Sequence, residues 1–227
     1  MPPPFDAVVF DLDGTLIDTA PDLHAHLNEM LAELDRPGLA LDEVRPMIGD
    51  GARALLRRGF EASGGMPEGA DLEALFVEFL RRYIAAPLRF GAPYEGVLTA
   101  LEQFRSRGVR LGVCTNKAQA ATDAVLAAAR LDRFFPVAIG GDALPIRKPD
   151  GGHIRAVLER LGTTTRAAVM VGDSANDVLA AEAAGIPCIV VSFGYTIVPA
   201  RDLGADLVID HFGELPRALA RLATAAA

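Results

Sequence analysis

The fold of this chain is indicated by residues 7–15, which read AVVFDLDGT. Four apolar residues are followed at once by two aspartates, a glycine and a threonine. A short, uninterrupted apolar run is typical of a strand in a parallel sheet that is covered on both faces. In open parallel sheets, ligands bind beyond the carboxyl ends of the strands. The stretch therefore predicts a first strand that ends directly at a candidate site.

Further apolar runs of strand length follow along the chain, and stretches with helical periodicity separate most of them. The runs lie at residues 109–114, 137–139, 167–171, 187–191 and 207–209. Alternating strands and helices predict an α/β fold, in which a doubly wound parallel sheet lies between layers of helices.

The alternation is interrupted once, after the first strand. The segments that follow all have helical patterns, with apolar residues spaced at helical intervals in residues 23–34, 52–60 and 72–83. Such a pattern predicts amphipathic helices rather than strands. We therefore predict an inserted all-helical domain over residues 18–92, and an α/β core domain formed by residues 1–17 and 93–227.

Composition narrows the classes of function. The chain has 22 Lys+Arg against 30 Asp+Glu, a formal net charge of −8, which argues against a nucleic-acid partner. There is no apolar run long enough to cross a membrane, and residues 1–6, MPPPFD, lack the pattern of a secretory signal. Cys114 and Cys188 lie within apolar runs and are expected to be buried, reduced thiols. We expect a cytoplasmic protein without a membrane partner, either a monomer or a homodimer.

The first chemical feature is the pair Asp11 and Asp13. Side chains alternate along an extended backbone, so the two carboxylates should point the same way at the end of the strand. Two such carboxylates repel each other unless a cation lies between them. By itself, the motif is explained equally well by an ordinary turn after a strand.

Three further clusters follow strands or lie in loops at the same edge. Thr115 and Asn116 could contact a phosphoryl oxygen or simply cap a helix. Lys148 could be a site cation or a solvated lysine. Asp173 and Asp177 are four residues apart where a helix begins, which also fits a plain helix start. Together, the clusters supply the nucleophile, proton donor, cation and hydrogen-bond donors of a phosphoryl-transfer site.

In this order, over residues 6–212, the motifs resemble those of the haloacid dehalogenase superfamily, and within it the phosphatases with a second aspartate two residues after the nucleophile. The resemblance implies a Rossmann-like core with a mobile helical cap. It also implies that Asp11 is the nucleophile, which forms an aspartyl phosphate, and that Asp13 is the general acid and base. Lys148 would neutralise charge on the nucleophile and the phosphoryl group.

The phosphoryl oxygens and a metal ion have further ligands in that family. The resemblance assigns the phosphoryl oxygens to Thr115, Asn116, Lys148 and Gly14. It also implies a Mg²⁺ cofactor bound by the Asp11 carboxylate, the Asp13 backbone carbonyl and the Asp173 carboxylate, with Asp177 in the outer shell. Oxygen ligands suit a hard cation. A carboxylate that approaches a phosphate dianion is repelled, so the cations are needed before attack.

We expect residues of the insert to determine specificity for the leaving group, because the cap of this superfamily closes over the site. Residues 48–55 read IGDGARAL, and this stretch resembles the Ile-Gly-x-Gly segment of phosphoglycolate phosphatases. The glycines Gly49 and Gly51 would open a helix whose free N–H groups, with Arg53, could bind a small carboxylate. We therefore expect Mg²⁺-dependent hydrolysis of 2-phosphoglycolate. A plain turn between helices, with a solvated Arg53, remains the alternative for this segment.

Two other functions remain open at this stage. The same machinery could serve a phosphatase or mutase that acts on another small phosphorylated metabolite, such as a sugar phosphate or pyrophosphate. A non-catalytic binding module that kept the fold is the second alternative. Such a module could lose Asp11, Asp13 or Lys148 without penalty, whereas all of these positions are filled here.

Overall fold

The structure is a computed structural model that describes residues 5–225, so the outer ends of the predicted core domain, residues 1–4 and 226–227, lie outside the described residues. The strands are β1 (Ala7–Phe10), β2 (Ile17–Asp18), β3 (Ala92–Pro93), β4 (Arg110–Cys114), β5 (Val137–Ile139), β6 (Ala168–Gly172), β7 (Cys188–Val191) and β8 (Leu207–Ile209). The helices are α1 (Ala20–Glu33), α2 (Leu41–Val44), α3 (Ala52–Ala62), α4 (Leu72–Ala85), α5 (Val97–Ser106), α6 (Gln119–Ala128), α7 (Gly151–Arg160), α8 (Ala175–Ala184) and α9 (Leu215–Ala225). None of these helices combines the length and apolar character that a membrane crossing needs.

The main sheet confirms the predicted α/β fold. Within the described residues it has six strands in the order β5-β4-β1-β6-β7-β8. All of its neighbouring strands pair in parallel. Each strand agrees to within one residue with an apolar run in the sequence.

Helices cover both faces of the sheet, and strand β1 shows why its sequence is continuously apolar. Val8 and Phe10 pack in one hydrophobic cluster with residues of α5, α6 and α9. Ala7 and Val9 belong to a second cluster, with residues of α7 and α8. All four side chains are fully buried. Since alternate residues face opposite sides of a sheet, a strand between two helical layers has no polar side.

The strand order places a topological switch point at β1. The chain runs outward from β1 to β4 and β5 on one side, then crosses back to β6 and continues to β8 on the other. The carboxyl ends of β4, β1 and β6 therefore lie side by side. In open α/β sheets, this crevice is where ligands bind.

The predicted helical insert lies between two very short strands. Strands β2 and β3 pair antiparallel, Ile17 with Pro93 and Asp18 with Ala92. Between them, the regular elements are α1 to α4 and one 3-10 turn, Arg45–Met47. Strands β2 and β3 were not predicted from the sequence, because two residues are too few to show a periodic pattern. The domain boundaries at residues 18 and 92 stay a prediction.

A buried carboxylate fixes the segment that returns from the insert to the core. Asp22, in the first turn of α1, accepts hydrogen bonds from the backbone N–H groups of Arg89 (2.6 Å), Phe90 (3.0 Å) and Gly91 (2.8 Å). A Cβ atom on Gly91 would lie 2.1 Å from the carbonyl oxygen of Asp18. The outgoing and returning segments therefore approach so closely that only glycine fits at position 91.

Both cysteines are buried and unpaired, as their apolar surroundings predicted. Cys114 ends β4, and Cys188 begins β7. Burial raises the pKa of both thiols above the ordinary value. The thiolate is the reactive form, so these two side chains act as small core residues.

Candidate active site

The structure brings three of the predicted carboxylates together at the switch point. Asp11 follows β1, Asp173 follows β6, and Asp177 lies in the first turn of α8. One oxygen from each lies within 4.8 Å of the others, and all three residues are buried. This is the set of groups that could hold a metal ion.

Lys148 is the cation of this cluster. It comes from the loop between β5 and α7, and its Nζ lies 2.9 Å from Asp11 Oδ1 and 2.6 Å from Asp177 Oδ1. Burial by itself favours the neutral amine, but the charges of Asp11 and Asp177 outweigh it and hold the pKa of Lys148 above its ordinary value. Lys148 is therefore a permanent positive charge beside the predicted nucleophile.

Without a further cation, the buried carboxylates resist ionisation. Burial raises the pKa of Asp11 from 3.8 to about 6, although Lys148 opposes the shift. Burial also raises the pKa of Asp173 well above its ordinary value, and the charges of Asp177 and Asp11 add to this rise. Such a cluster stabilises a cation, because positive charge offsets both the burial and the mutual repulsion.

Two glycines make room for the Asp173 carboxylate. A Cβ atom on Gly14 would lie 2.4 Å from Asp173 Oδ2, and one on Gly194 would lie 2.2 Å from Asp173 Cβ. The backbone N–H of Tyr195 donates a 2.7 Å hydrogen bond to Asp173 Oδ2. Gly14, which the sequence analysis assigned to phosphate binding, therefore lies against a carboxylate of the cluster.

Both oxygens of Asp177 are already in use. Oδ1 pairs with Lys148, as described above. Oδ2 accepts hydrogen bonds from the N–H groups of Asp173 (3.1 Å) and Ser174 (3.0 Å), and from the Ser174 hydroxyl (2.8 Å). These bonds start α8 with a capping box, in which Ser174 is the N-cap. Asp177 therefore fits an outer position, where it orients the other groups.

Asp13 has a partner that the sequence analysis missed. Its carboxylate accepts a hydrogen bond from the Thr19 hydroxyl (2.6 Å). It also forms an ion pair with Lys117, whose Nζ lies 3.0 Å from Oδ1 and 3.1 Å from Oδ2. A signal was present in the composition. Of the 22 Lys and Arg residues, only Lys117 and Lys148 are lysines. Arginine supplies every other cation, so the two lysines mark the site.

The charges around the site fit a divalent cation. Four aspartates (Asp11, Asp13, Asp173 and Asp177) face the two ammonium groups of Lys117 and Lys148. If all are ionised, two negative charges remain unbalanced in a buried region. A buried charge without a partner is costly, whereas carboxylate and carbonyl oxygens are the ligands that Mg²⁺ prefers. The donor set therefore suits the predicted metal.

A small cavity of about 30 Å³ opens beside Asp11 and Asp13. Most of its lining is apolar, from α1, α3, α4 and α6. Gly49 and Gly51 also line it, with φ of 116° and 86°, values that favour glycine. A Cβ atom on Gly51 would lie 3.0 Å from the carbonyl oxygen of Asn116. The two glycines thus bring the loop before α3 against the end of β4.

Thr115 and Asn116 line the same cavity. The Thr115 hydroxyl accepts a 3.3 Å hydrogen bond from the N–H of Lys117. The Asn116 side-chain amide donates to the carbonyl oxygens of Gly49 and Lys148, both at 3.1 Å. Asn116 therefore ties the cap loop and the Lys148 loop to the sheet, and its role toward phosphate stays a prediction.

Arg53 is not brought to the cavity. Its guanidinium forms a bidentate pair with Glu73, at 2.8 to 3.0 Å, and lies 3.6 Å from the centroid of the Phe76 ring. The side chain is about half exposed, at 51%. Glu73, in the first turn of α4, competes for this arginine, and the sequence around Arg53 does not reveal that contact. Of the three predicted cap residues, only Gly49 and Gly51 line the cavity.

The fold and the site together define a class of protein. The model of the haloacid dehalogenase-like hydrolase family matches residues 5–185. The chain therefore belongs to the haloacid dehalogenase-like hydrolases, as the motifs predicted.

Individual relatives narrow the comparison. The chain is 46% identical over 217 residues to a phosphoglycolate phosphatase of Caulobacter vibrioides, a match that covers 96% of this chain and 92% of the relative. It is 43% identical to a phosphoglycolate phosphatase of Rhodospirillum rubrum, with 92% and 88% covered. Among solved structures, a predicted phosphoglycolate phosphatase from Haemophilus somnus has a TM-score of 0.89 and 27% identity, with 95% and 98% covered. CbbY from Rhodobacter sphaeroides, in complex with phosphate, has a TM-score of 0.81 and 27% identity, with 93% and 96% covered.

Proposed function

We propose that this protein is a Mg²⁺-dependent phosphomonoesterase, which hydrolyses 2-phosphoglycolate to glycolate and phosphate through an aspartyl phosphate on Asp11. The observation that carries the proposal is the buried ion pair between Asp11 and Lys148 (2.9 Å) next to a small cavity that Asp13 also lines. The phosphoglycolate phosphatases at 43% and 46% identity support the choice of substrate.

In the first step, a carboxylate oxygen of Asp11 attacks the phosphorus atom. A bond forms between that oxygen and phosphorus while the bond from phosphorus to the ester oxygen breaks. Lys148 offsets the negative charge that would otherwise repel the phosphate dianion. Asp13 must be protonated in this step, and it gives its proton to the departing alkoxide, which leaves as glycolate. Thr19 holds the Asp13 carboxyl in place through the 2.6 Å hydrogen bond.

In the second step, Asp13 takes a proton from a water molecule, which attacks the same phosphorus atom. The bond between Asp11 and phosphorus breaks, which restores the Asp11 carboxylate and releases phosphate. We assign the phosphoryl oxygens to Thr115, Asn116, Lys148 and the backbone at Gly14. Thr115 and Asn116 support this assignment because both line the cavity.

The metal would be held by the Asp11 and Asp173 carboxylates and the Asp13 backbone carbonyl, with Asp177 behind them. When bound, Mg²⁺ supplies positive charge that offsets the charge of the phosphoryl group and orients it. The unbalanced negative charge of the aspartate cluster is the feature of this chain that supports such a cation.

The lining of the cavity disfavours a leaving group with many hydroxyl groups. Most of the lining is apolar, so it offers few hydrogen-bond partners for the hydroxyl groups of a sugar. This observation favours 2-phosphoglycolate over the alternative, a sugar phosphate. We propose that the partner is a small phosphorylated metabolite and that the protein works in the cytoplasm.

The test is phosphate release from purified protein, with 2-phosphoglycolate, a hexose phosphate, a pentose phosphate and pyrophosphate as substrates. We expect turnover that requires Mg²⁺, with kcat/KM for 2-phosphoglycolate at least about tenfold above the others. Full turnover in excess chelator would contradict the metal dependence. A preference for a sugar phosphate, or transfer of phosphate to a second sugar hydroxyl, would contradict the substrate assignment.

A further inference from the structure

Two polar side chains, Lys117 and Tyr83, lie at one end of the cavity, and the mechanism above does not assign either of them to the phosphoryl group. Lys117, in the loop between β4 and α6, and Tyr83, in α4, both line the cavity and are buried, at 7% and 1% exposure. The Lys117 Nζ lies 4.3 Å from the centroid of the Tyr83 ring. The cap therefore contributes an aromatic hydroxyl, and the core a cation, to the same wall.

The Tyr83 hydroxyl is buried, and the Lys117 ammonium group beside it interacts with it without completing a hydrogen bond of ordinary geometry. The ring itself is fixed, since it stacks on Phe79 (6.0 Å between centroids) and meets His26 edge to face (5.5 Å). Buried hydroxyl groups nearly always have a partner, because an unpaired one costs free energy. A fixed hydroxyl that shares the cavity wall with an ammonium group forms a polar end of the cavity, which suits the carboxylate of a ligand.

Among the described residues that line the cavity, Lys117 is the single cation, and it lies beside Asp13, the predicted proton donor. Its ammonium group has three N–H donors. Asp13 accepts from it at two oxygens, 3.0 and 3.1 Å away. A lysine in this arrangement can contact Asp13 and a second anion at the same time. Arg53, the cation predicted for this purpose, is instead paired with Glu73.

We propose that Lys117 and Tyr83 bind the carboxylate of the leaving group, and that they select phosphorylated acids in which this carboxylate is one carbon away from the ester oxygen. The inference rests on the proposed phosphatase function and adds the residues that recognise the acid. In this arrangement Lys117 donates to one carboxylate oxygen and the Tyr83 hydroxyl donates to the other.

Distance is what makes the pair selective. Asp13 must be within hydrogen-bonding distance of the ester oxygen, and Lys117 is about 3 Å from Asp13. In 2-phosphoglycolate, standard bond lengths put a carboxylate oxygen roughly 3 Å from the ester oxygen. One additional methylene moves the carboxylate away from this position. A neutral leaving group of the same size leaves the Tyr83 hydroxyl and Lys117 without their ligand.

The first measurement uses the unaltered protein with Mg²⁺ and three phosphate esters of similar size. The first is 2-phosphoglycolate. The second is the phosphate ester of 3-hydroxypropanoate, called 3-phosphopropanoate below, whose carboxylate is one methylene further away. The third is ethyl phosphate, which has no carboxylate. We expect kcat/KM to be highest for 2-phosphoglycolate, by roughly 10- to 100-fold over ethyl phosphate, the range for hydrogen bonds to a charged group. The value for 3-phosphopropanoate should lie near that for ethyl phosphate.

The second measurement compares variants by the ratio of kcat/KM for 2-phosphoglycolate to that for ethyl phosphate. Tyr83→Phe removes one hydroxyl and keeps the ring stack, and it should lower the ratio several-fold. Lys117→Met keeps the length of the side chain and removes its charge, and it should bring the ratio close to one. Tyr94→Phe, a tyrosine that does not line the cavity, is the matched control and should keep the unaltered ratio.

The outcomes separate this inference from the proposed function. If the unaltered protein does not prefer 2-phosphoglycolate, the proposed substrate is wrong, and the carboxylate pair is overturned with it. If the preference exists but Tyr83→Phe keeps the full ratio, the pair is overturned while the proposed function stands. Equal rates on 2-phosphoglycolate and 3-phosphopropanoate would also overturn it, without the need for any variant.

Discussion

At the scale of single residues, charge and burial together decide what each polar group can do. Lys148 is 2% exposed, and two carboxylates hold it in the charged form. The removal of one partner from a buried ion pair typically costs about 3–5 kcal/mol, because the other charge is left alone. The same cation acts on His153, which is fully buried in α7.

Because of His153, the free energy of unfolding should depend on pH in a way that can be measured. Burial and the charge of Lys148 lower the pKa of His153 from 6.5 to about 4. As pH falls below 6.5, the unfolded chain takes up this proton first, so the stability that the neutral imidazole contributes is present above pH 6.5 and is lost toward pH 4. The full difference is at most about 3 kcal/mol.

We therefore expect His153→Gln to show a smaller loss of unfolding free energy between pH 6.5 and pH 4 than the unaltered protein. Urea unfolding at several pH values measures the slope. The exposed histidine His211, changed to Gln, is the matched control and should keep the original slope. An unchanged slope in His153→Gln would show that the buried imidazole does not titrate as described.

At the scale of elements, the loop before α3 joins the helical insert to the core. Asn116 donates to the carbonyl oxygen of Gly49, and Asn176, in α8, donates a 2.8 Å hydrogen bond to Asp50 Oδ1. Arg58, in α3, pairs with the same Asp50 carboxylate. A few hydrogen bonds at the rim of the site thus connect the insert to the core beside Asp11 and Asp13.

Removal of one of these bonds should loosen the connection between the insert and the core. We expect Asn176→Ala to lower kcat/KM for 2-phosphoglycolate by roughly 5- to 10-fold, the effect of one hydrogen bond. Hydrogen exchange of residues 48–51 should become faster, and the melting temperature should change little because Asn176 is only half-buried. Gln103→Ala, at an exposed position in α5, is the control. Unchanged exchange and kinetics would mean that this contact does not hold the loop.

The elements also show what the sequence could predict. Strands such as β1 and β6 are buried on both faces, so their apolar runs coincide with their bounds to within one residue. The pair β2 and β3 is two residues long and depends on chain closure rather than on side-chain pattern. Such an element cannot be read from periodicity.

The site residues that follow a strand, or lie in a loop at the carboxyl edge of the sheet, could be predicted from the sequence. Asp11, Lys148 and Asp173 converge because each follows a strand of one parallel sheet or lies in a loop at its carboxyl edge. Arg53 and Lys117 depend on tertiary contacts, with Glu73 in one case and Asp13 in the other. Partners that are 20 and 104 positions apart leave no local signal.

At the scale of the whole molecule, the net charge of −8 is partly concentrated at the carboxyl edge of the sheet. Four aspartates of the site face the two lysines of the chain, and the excess negative charge lies where an anionic substrate must bind. The acidic balance therefore does not exclude such a substrate, because the positive charge of a metal can offset it. In the proposed mechanism this arrangement serves one covalent step, the transfer of the phosphoryl group to Asp11.

The most direct test of that step is to find the phosphoryl group on Asp11. Turnover of 2-phosphoglycolate labelled at phosphorus is quenched rapidly in acid, and the labelled peptide is identified by mass spectrometry. We expect label on Asp11 in the unaltered protein, and neither label nor turnover in a folded Asp11→Asn variant. Label on another residue, or phosphate release that persists in Asp11→Asn, would contradict the proposed mechanism.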